Sequence, residues 1–284
     1  MEKLLEVKDL KVSFFTDLGE TQAVKNAGFA IGEGDFFGIV GESGSGKSVT
    51  TKSILRLGPS NCKIMGGEIL FQGEDILKKS EAELRAIRGG EIAMIFQDSL
   101  SALNPVYTVG NKMVELIRRH TKMNKKEARA RVLELLTAVG ITDPEKAMRS
   151  YPHELSGGMR QRVMIAMAMS SNPKVLIADE PTTALDVTIQ AQILHLLLEL
   201  QKKNNMSIIL ITHDLGVVAQ TCKRVAVMCG GYVVEEGTVE EIFLHPGHPY
   251  TQALIASMPR VGGTFEQFLE RDLSDGSGNL CPFL

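Results

Sequence analysis

The segment GESGSGKS, residues 41–48, restricts the possible folds of this chain more than any other feature of its sequence. It matches the pattern GxxxxGK[ST] of phosphate-binding loops. The apolar stretch FFGIV precedes it, and the helix-compatible stretch SVTTKSILRL begins with its last residue. Strand, glycine-rich loop and helix in this order are the context in which the pattern binds phosphate. The sequence therefore predicts a phosphate-binding loop between a strand and a helix.

Each residue type in this loop has a specific task. The glycines let successive backbone N–H groups turn toward the phosphates, and the positive end of the following helix adds to the attraction. Lys47 is expected to reach the β and γ phosphates, and Ser48 to ligate magnesium. The alternative, a flexible Gly/Ser turn with a solvated lysine, is disfavoured by the flanking strand and helix. The predicted nucleotide-binding positions are Gly41, Ser43, Gly44, Ser45, Gly46, Lys47, Ser48 and Val49.

A second group of glycines, Gly32, Gly34 and Gly38, only approximates a dinucleotide-binding fingerprint. The spacing GxGxxxG is one residue too long, and the group leads into a strand without opening a helix. We therefore expect Gly32 and Gly34 to form a turn.

Composition excludes several classes of protein. The 284 residues are 44% hydrophobic and 23% charged, with a net charge of −3, so there is no basic footprint for nucleic acid. The start, MEKLLEVKDL, lacks the pattern of a secretory leader, and no run reaches the about 18 apolar residues of a membrane span. We expect a cytosolic chain. Cys62, Cys222, Cys229 and Cys281 form no CxxC pair, so reduced thiols are expected.

Strand and helix patterns divide the chain into regions. Residues 4–15 and 22–40 have the composition of strands. From 108 to 140 the spacing becomes helical, and Val132, Leu135, Leu136 and Val139 can share one face. Further on, a strand at 174–179, a helix at 188–203, a strand at 207–212, a short helix and a strand pair in RVAVMCGGYVVEEG follow one another. This alternation predicts a parallel sheet flanked by helices.

Two adjacent acids end the apolar run in KVLIADEP. Open α/β sheets place their ligand chemistry at the carboxyl ends of such strands. Asp179 is expected to hold magnesium, and Glu180 to orient the attacking water or accept its proton. The alternative is that both acids are partners for the positive end of the helix that begins near Thr188. The upstream phosphate loop favours the catalytic interpretation.

The phrase LSGGM at 155–159, with RQR and then ADEPTTALD, resembles the signature and acidic strand of ATP-binding cassettes. Ser156 can cap the following helix, while Gly157 and Gly158 expose backbone N–H groups. By itself this pattern indicates a helix start. The resemblance implies that these residues close over the γ phosphate bound by an opposite subunit, so that two chains enclose two nucleotides.

Further positions resemble the cassette family residue by residue. Gln97 matches a glutamine that contacts the metal and signals to the permease, Asp186 an inter-subunit loop, and His213 a γ-phosphate sensor. Without the family, these would be a polar strand end, a helix cap and a histidine at a strand terminus. An aromatic after the first strand holds adenine in this family, which implies Phe14 or its neighbour Phe15, with core packing as the rival role.

Longer phrases resemble the ATP-binding subunits of dipeptide and oligopeptide importers, with nickel importers as close relatives. These are MIFQDSLSALNPVYTVG, LSGGMRQRVMIAMAM, ITHDLGVVAQ and HPGHPYTQAL. The resemblance implies ATP and Mg²⁺, a membrane permease, a second ATPase subunit and indirectly a solute-binding protein, at the cytoplasmic face of the membrane. It favours a heterodimer of ATPase subunits and leaves a homodimer as the alternative. A soluble cassette ATPase and a non-hydrolysing cassette are the alternatives. The first usually shows paired cassettes or basic arms, and the second lacks the acid at Glu180.

The resemblance also implies the architecture, an α/β P-loop ATPase of ABC type with a mixed sheet, an antiparallel β subdomain and an inserted helical subdomain. The catalytic core is expected at 1–97 and 160–258, the helical subdomain at 98–159, and a short irregular extension at 259–284. In some peptide-importer subunits the extension that begins at HPY carries a cysteine cluster for iron and sulfur. Here only Cys281 lies there, so no cluster is predicted.

Overall fold

The computed structural model describes residues 3–97, 103–183 and 185–257. The extension at 259–284, with Cys281, lies outside the described residues. The strands are β1 Lys3–Thr16, β2 Gly19–Gly32, β3 Phe36–Val40, β4 Cys62–Phe71, β5 Glu74–Asp75, β6 Ile92–Ile95, β7 Val175–Asp179, β8 Ser207–Ile211, β9 Arg224–Cys229 and β10 Tyr232–Thr238. The α-helices are α1 Lys47–Ile54, α2 Glu81–Ile87, α3 Val109–His120, α4 Lys125–Ala138, α5 Pro144–Arg149, α6 Gly157–Ala168, α7 Val187–Asn204, α8 Leu215–Thr221, α9 Val239–Leu244 and α10 Pro249–Ala256.

The chain divides into two compact units, Met1–Leu77 with Leu210–Leu284, and Lys78–Ile209. The predicted core of 1–97 and 160–258 and the helical subdomain of 98–159 stay predictions. Among the described helices, none is both long and apolar enough to cross a membrane.

The first unit is a mixed sheet with helices. Its strand order is β5-β4-β1-β2-β10-β9-β3. β1 pairs antiparallel with both β2 and β4, whereas β3 and β9 are parallel. The strands predicted at 4–15 and 22–40 are present, and the second of them is interrupted after Gly32. There Gly34 has φ +67°, and Asp35 Oδ2 accepts a 2.7 Å hydrogen bond from the Gly32 N–H, which confirms the predicted turn.

The second unit combines two parallel strands, β6 and β7, with most of the helices. Helix α4 buries Val132, Leu135 and Leu136, and its C-cap Val139 is only 1% exposed, which confirms the predicted apolar face. All five residues of β7 are buried, as expected for a strand of a parallel sheet covered on both faces. Its C-terminal residue is Asp179, so the fold carries the acidic pair at the carboxyl end of this strand.

Candidate active site

The phosphate loop runs from the end of β3 to the start of α1, as the sequence predicts. Gly41, Gly44 and Gly46 have φ values of +148°, +80° and +105°, a region that side chains with a Cβ rarely adopt. Gly46 is the N-cap of α1 and gives it no side-chain hydrogen bond. The loop therefore leaves the beginning of α1 to be satisfied by something other than a capping side chain, and an anion suits this position.

Close packing leaves no room for a side chain at Gly41 and Gly46, whereas Gly44 borders open space. A Cβ on Gly41 would lie 2.1 Å from the Met228 carbonyl oxygen, and one on Gly46 would lie 2.8 Å from that of Ala23. A Cβ on Gly44 would meet nothing within 4 Å. The loop is thus pressed against β2 and β9 at two points and borders open space at the third. The open side at Gly44 leaves room for a ligand.

Lys47 places its ammonium group in the same loop. Its Nζ donates to the carbonyl oxygens of Gly41 (2.7 Å) and Glu42 (2.8 Å) and to Ser45 Oγ (3.4 Å), and the residue is 5% exposed. These three acceptors hold the ammonium group at the loop. Ser48 and Val49 follow in the first turn of α1, both half-buried. Ser43, in contrast, is exposed.

The acidic pair meets Gln97 within the second unit. Asp179 is fully buried, while Glu180 follows β7 with φ +47°. Glu180 Oε2 accepts hydrogen bonds from Gln97 Nε2 at 2.7 Å and from Thr183 Oγ1 at 2.9 Å. Gln97 arrives there because Ile95 of β6 pairs with Ala178 of β7, and Gln97 and Glu180 each lie two residues beyond these pairing partners. The sequence analysis did not single out Thr183, because its hydrogen bond to Glu180 depends on the turn that follows β7.

The helix after the acidic pair has its own cap. Asp186 is the N-cap of α7, and its Oδ1 accepts the Ile189 N–H at 3.0 Å. The alternative in which Asp179 and Glu180 act as partners for this helix start is therefore unnecessary. Asp186 caps this helix, which is the role predicted for it when the family resemblance is left aside.

The signature residues begin α6. Ser156 is its N-cap and accepts the Met159 N–H at 3.3 Å, which confirms the predicted cap. A Cβ on Gly157 would lie 3.5 Å from Leu185, and one on Gly158 would lie 2.9 Å from Ile189 Cγ2. Packing against α7 thus requires glycine at position 158. The sequence analysis assigned both glycines to anion binding and did not predict this packing.

The remaining predicted residues lie in the first unit. His213 is exposed and follows β8, next to Asp214, the N-cap of α8. Phe14 and Phe15 are both half-buried within β1, which continues to Thr16, and adenine stacking by either ring stays a prediction. The Lys63 ammonium lies 5.1 Å from the centroid of the Phe15 ring.

Two segments of the chain match known protein families. Residues 24–183, more than half of the chain, match the family described as "ABC transporter". This chain belongs to the ABC transporter family. The C-terminal part of this ABC protein, residues 234–276, also matches "Oligopeptide/dipeptide transporter, C-terminal region".

Among the relatives of this ABC protein are two from Bacillus subtilis (strain 168). It is 56% identical to the oligopeptide transport ATP-binding protein OppD over 94% of its own length and 75% of the relative's. It is 55% identical to the dipeptide transport ATP-binding protein DppD over 92% of its own length and 78% of the relative's.

A solved structure of similar fold is the dimeric ATP-binding cassette MJ0796 in a post-hydrolysis state with ADP and Pi. Its TM-score is 0.74 at 30% identity, covering 83% of this chain and 98% of that one. CbiO1 from Clostridium perfringens, part of the ABC transporter complex cbiONQ, has a TM-score of 0.72 at 30% identity, covering 95% of this chain and 100% of that one. The predicted α/β fold of ABC type is confirmed.

Proposed function

We propose that this ABC protein is the ATP-hydrolysing subunit of an importer for dipeptides or oligopeptides. The observation that carries hydrolysis is the pair of hydrogen bonds from Gln97 and Thr183 to Glu180 Oε2, which orient one carboxylate beside a strand end. The identity of 56% to an oligopeptide transport ATP-binding protein supports the substrate class.

The phosphate loop binds the nucleotide in this proposal. Backbone N–H groups of the loop after Glu42 and the start of α1 receive the phosphates, and Lys47 supplies a positive charge. Phe14 stacks on adenine, because the Lys63 ammonium already covers the ring of Phe15. Phe14 pairs with Thr21 of β2, two residues before the Ala23 carbonyl that approaches Gly46, so this aromatic lies on the strands beside the loop.

Hydrolysis is assigned to the two acids together with Ser48, Gln97 and His213. As the resemblance implies, Asp179, Ser48 and Gln97 would hold magnesium, which would supply positive charge to stabilise the phosphates. Glu180 orients the attacking water and accepts its proton. His213 contacts the γ phosphate, as the resemblance implies. Phosphoryl transfer needs positioning and charge stabilisation above all, and these side chains supply both.

The partners follow from the family. We infer that permease subunits receive the conformational change through Gln97, and that a second, different ATPase subunit completes each nucleotide site with Ser156, Gly157, Gly158 and Asp186. The protein then works at the cytoplasmic face of the membrane, and a solute-binding protein on the other side delivers the peptide.

The test is uptake of labelled dipeptide and of nickel into cells that carry this chain with its permease. Wild-type protein is compared with Glu180→Gln and with a control, Glu145→Gln, whose carboxylate is exposed and paired with Arg149. We expect Glu180→Gln to lose dipeptide uptake and Glu145→Gln to keep it. Loss of nickel uptake alone would move the protein to metal import, and unchanged uptake of both would overturn the proposal.

A further inference from the structure

Helix α10, the last of the described helices, touches the phosphate loop through a tyrosine. Tyr250, the second residue of α10, accepts at its Oη a 3.1 Å hydrogen bond from the backbone N–H of Glu42. The two residues are 208 positions apart in sequence and lie in the same compact unit. Glu42 is the second residue of the phosphate loop. A segment outside the loop motif is therefore in direct contact with the loop backbone.

This hydrogen bond acts on a peptide group that Lys47 also holds. The Glu42 N–H and the Gly41 carbonyl belong to one planar peptide unit, and in a trans peptide they point in opposite directions. Tyr250 binds the N–H side, and the Lys47 Nζ binds the carbonyl side at 2.7 Å. Rotation of this peptide would lengthen both hydrogen bonds. The tyrosine and the lysine are thus coupled through one rigid group.

Tyr250 is itself held in place. Glu235 of β10 accepts the N–H groups of Gly247 (2.7 Å) and His248 (3.1 Å). His248 then caps α10, because its Nδ1 accepts the Tyr250 N–H at 3.1 Å. Pro249 occupies the first helical position, where its missing N–H costs nothing. A carboxylate on the sheet thus anchors the turn that presents the tyrosine to the loop.

We propose that Tyr250 is a positioning residue for nucleotide binding: it fixes the Gly41–Glu42 peptide so that the Lys47 ammonium is oriented before the phosphates arrive. The proposal rests on nucleotide binding by the phosphate loop, as argued above. It gives the segment from Glu235 to Tyr250, which falls in the C-terminal region matched at 234–276, a role in the ATPase itself. Preorganisation lowers the cost of ordering the loop on binding.

The test compares Tyr250→Phe with a matched control, Tyr107→Phe, in the purified full chain. Tyr107 is 52% exposed and belongs to the second compact unit. Calorimetric titration should show a dissociation constant for ATP that rises about 2- to 10-fold in Tyr250→Phe, the effect of one hydrogen bond. The same factor is expected for inorganic pyrophosphate, since the tyrosine acts on the phosphate loop. The melting temperature without nucleotide should match that of the control.

A second variant tests the anchor. Glu235→Gln should raise the dissociation constant less than Tyr250→Phe, and the double variant should bind no more weakly than Tyr250→Phe alone, because both changes act through one contact. Additive effects, or an unchanged dissociation constant in Tyr250→Phe, would overturn the proposal. If the wild-type chain binds neither ATP nor pyrophosphate, the phosphate-loop function itself fails, and the proposal with it.

Discussion

Gln97 donates a 2.7 Å hydrogen bond from Nε2 to Oε2 of Glu180. The Thr183 hydroxyl donates to the same oxygen at 2.9 Å. A glutamine after β6 and a threonine after β7 thus fix the direction of one carboxylate from two sides. A fixed carboxylate can hold a water in line for attack, and such orientation accounts for much of the acceleration in phosphoryl transfer. Variants at Glu180 and Thr183 test this arrangement.

Replacing Glu180 by Gln should lower ATP hydrolysis by a factor of about 10² to 10⁴, the usual contribution of a general base. ATP affinity should stay close to that of the wild type, because an amide oxygen can still accept the hydrogen bonds from Gln97 and Thr183. Steady-state phosphate release and equilibrium nucleotide binding measure the two effects. Glu145→Gln, which removes an exposed carboxylate at the surface, is the control. Undiminished hydrolysis in Glu180→Gln would refute its catalytic assignment.

Replacing Thr183 by Val removes the hydroxyl and keeps the shape of the side chain. We expect kcat to fall roughly 2- to 10-fold, the worth of one hydrogen bond, with little change in KM. Thr183→Ser keeps the hydroxyl and should retain nearly wild-type kcat. If the serine variant is as slow as the valine variant, the methyl group matters and the hydrogen bond to Glu180 does not.

Replacing Lys47 by Ala should weaken ATP binding at least about tenfold, because hydrogen bonds to charged groups contribute roughly 1.5–3 kcal/mol. Isothermal titration measures the affinity. Lys52→Ala is the matched control, since Lys52 lies in the last turn of the same helix. Equal affinities in the two variants would argue against a phosphate contact at Lys47.

Two glycine variants separate backbone strain from close packing. Gly44→Ala introduces a Cβ at φ +80° with nothing within 4 Å, so only conformational strain of roughly 1–2 kcal/mol is expected. Gly46→Ala has φ +105° and would also place its Cβ 2.8 Å from the Ala23 carbonyl oxygen. The second variant should therefore show the lower melting temperature by calorimetry. The reverse order would mean that the loop does not pack on β2 as described.

A pH dependence is expected from Cys222. Burial raises the pKa of its thiol to about 12, with the Thr221 hydroxyl acting in the opposite direction to a lesser extent. In the unfolded chain a thiol has a pKa of about 8.5, so above that pH the unfolded state loses a proton that the folded state retains. The free energy of unfolding should therefore fall as pH rises from about 8.5 toward 12.

The measurement is the melting temperature from pH 8 to 10.5, compared with Cys222→Ala. The variant starts at a lower melting temperature because it loses a buried sulfur. Its melting temperature should decline less steeply over this range. Parallel declines in the two proteins would exclude the buried thiol as the cause.

Much of the fold could be predicted because its signals are local. The phosphate loop is a contiguous pattern, the apolar face of α4 follows helical spacing, and the Ser156 cap adjoins the helix that it begins. The identity of Glu180 also follows from its place after an apolar strand. These features depend on neighbours within a few residues, which a single sequence displays directly.

The rest depends on which distant segments meet. The bond from Gln97 to Glu180 requires the parallel register of Ile95 with Ala178, and no local pattern encodes a register between strands 83 positions apart. The contact between Tyr250 and Glu42 spans 208 positions. The end of β1 is likewise set by its pairing partners, because pairing with β2 reaches Thr16 and pairing with β4 reaches Phe14.

Gly158 and Ile189 share one small volume, since a Cβ at 158 would come within 2.9 Å of the isoleucine Cγ2. Loss of activity in a Gly158→Ala variant therefore has two separable origins, a crowded helix interface and an altered anion site. An additional Ile189→Ala change would relieve the crowding at the helix interface and leave the altered anion site. In diverging descendants of this chain, residues 158 and 189 should change together. Packing against residue 189 of α7 would then account for part of the conservation expected of the signature glycine.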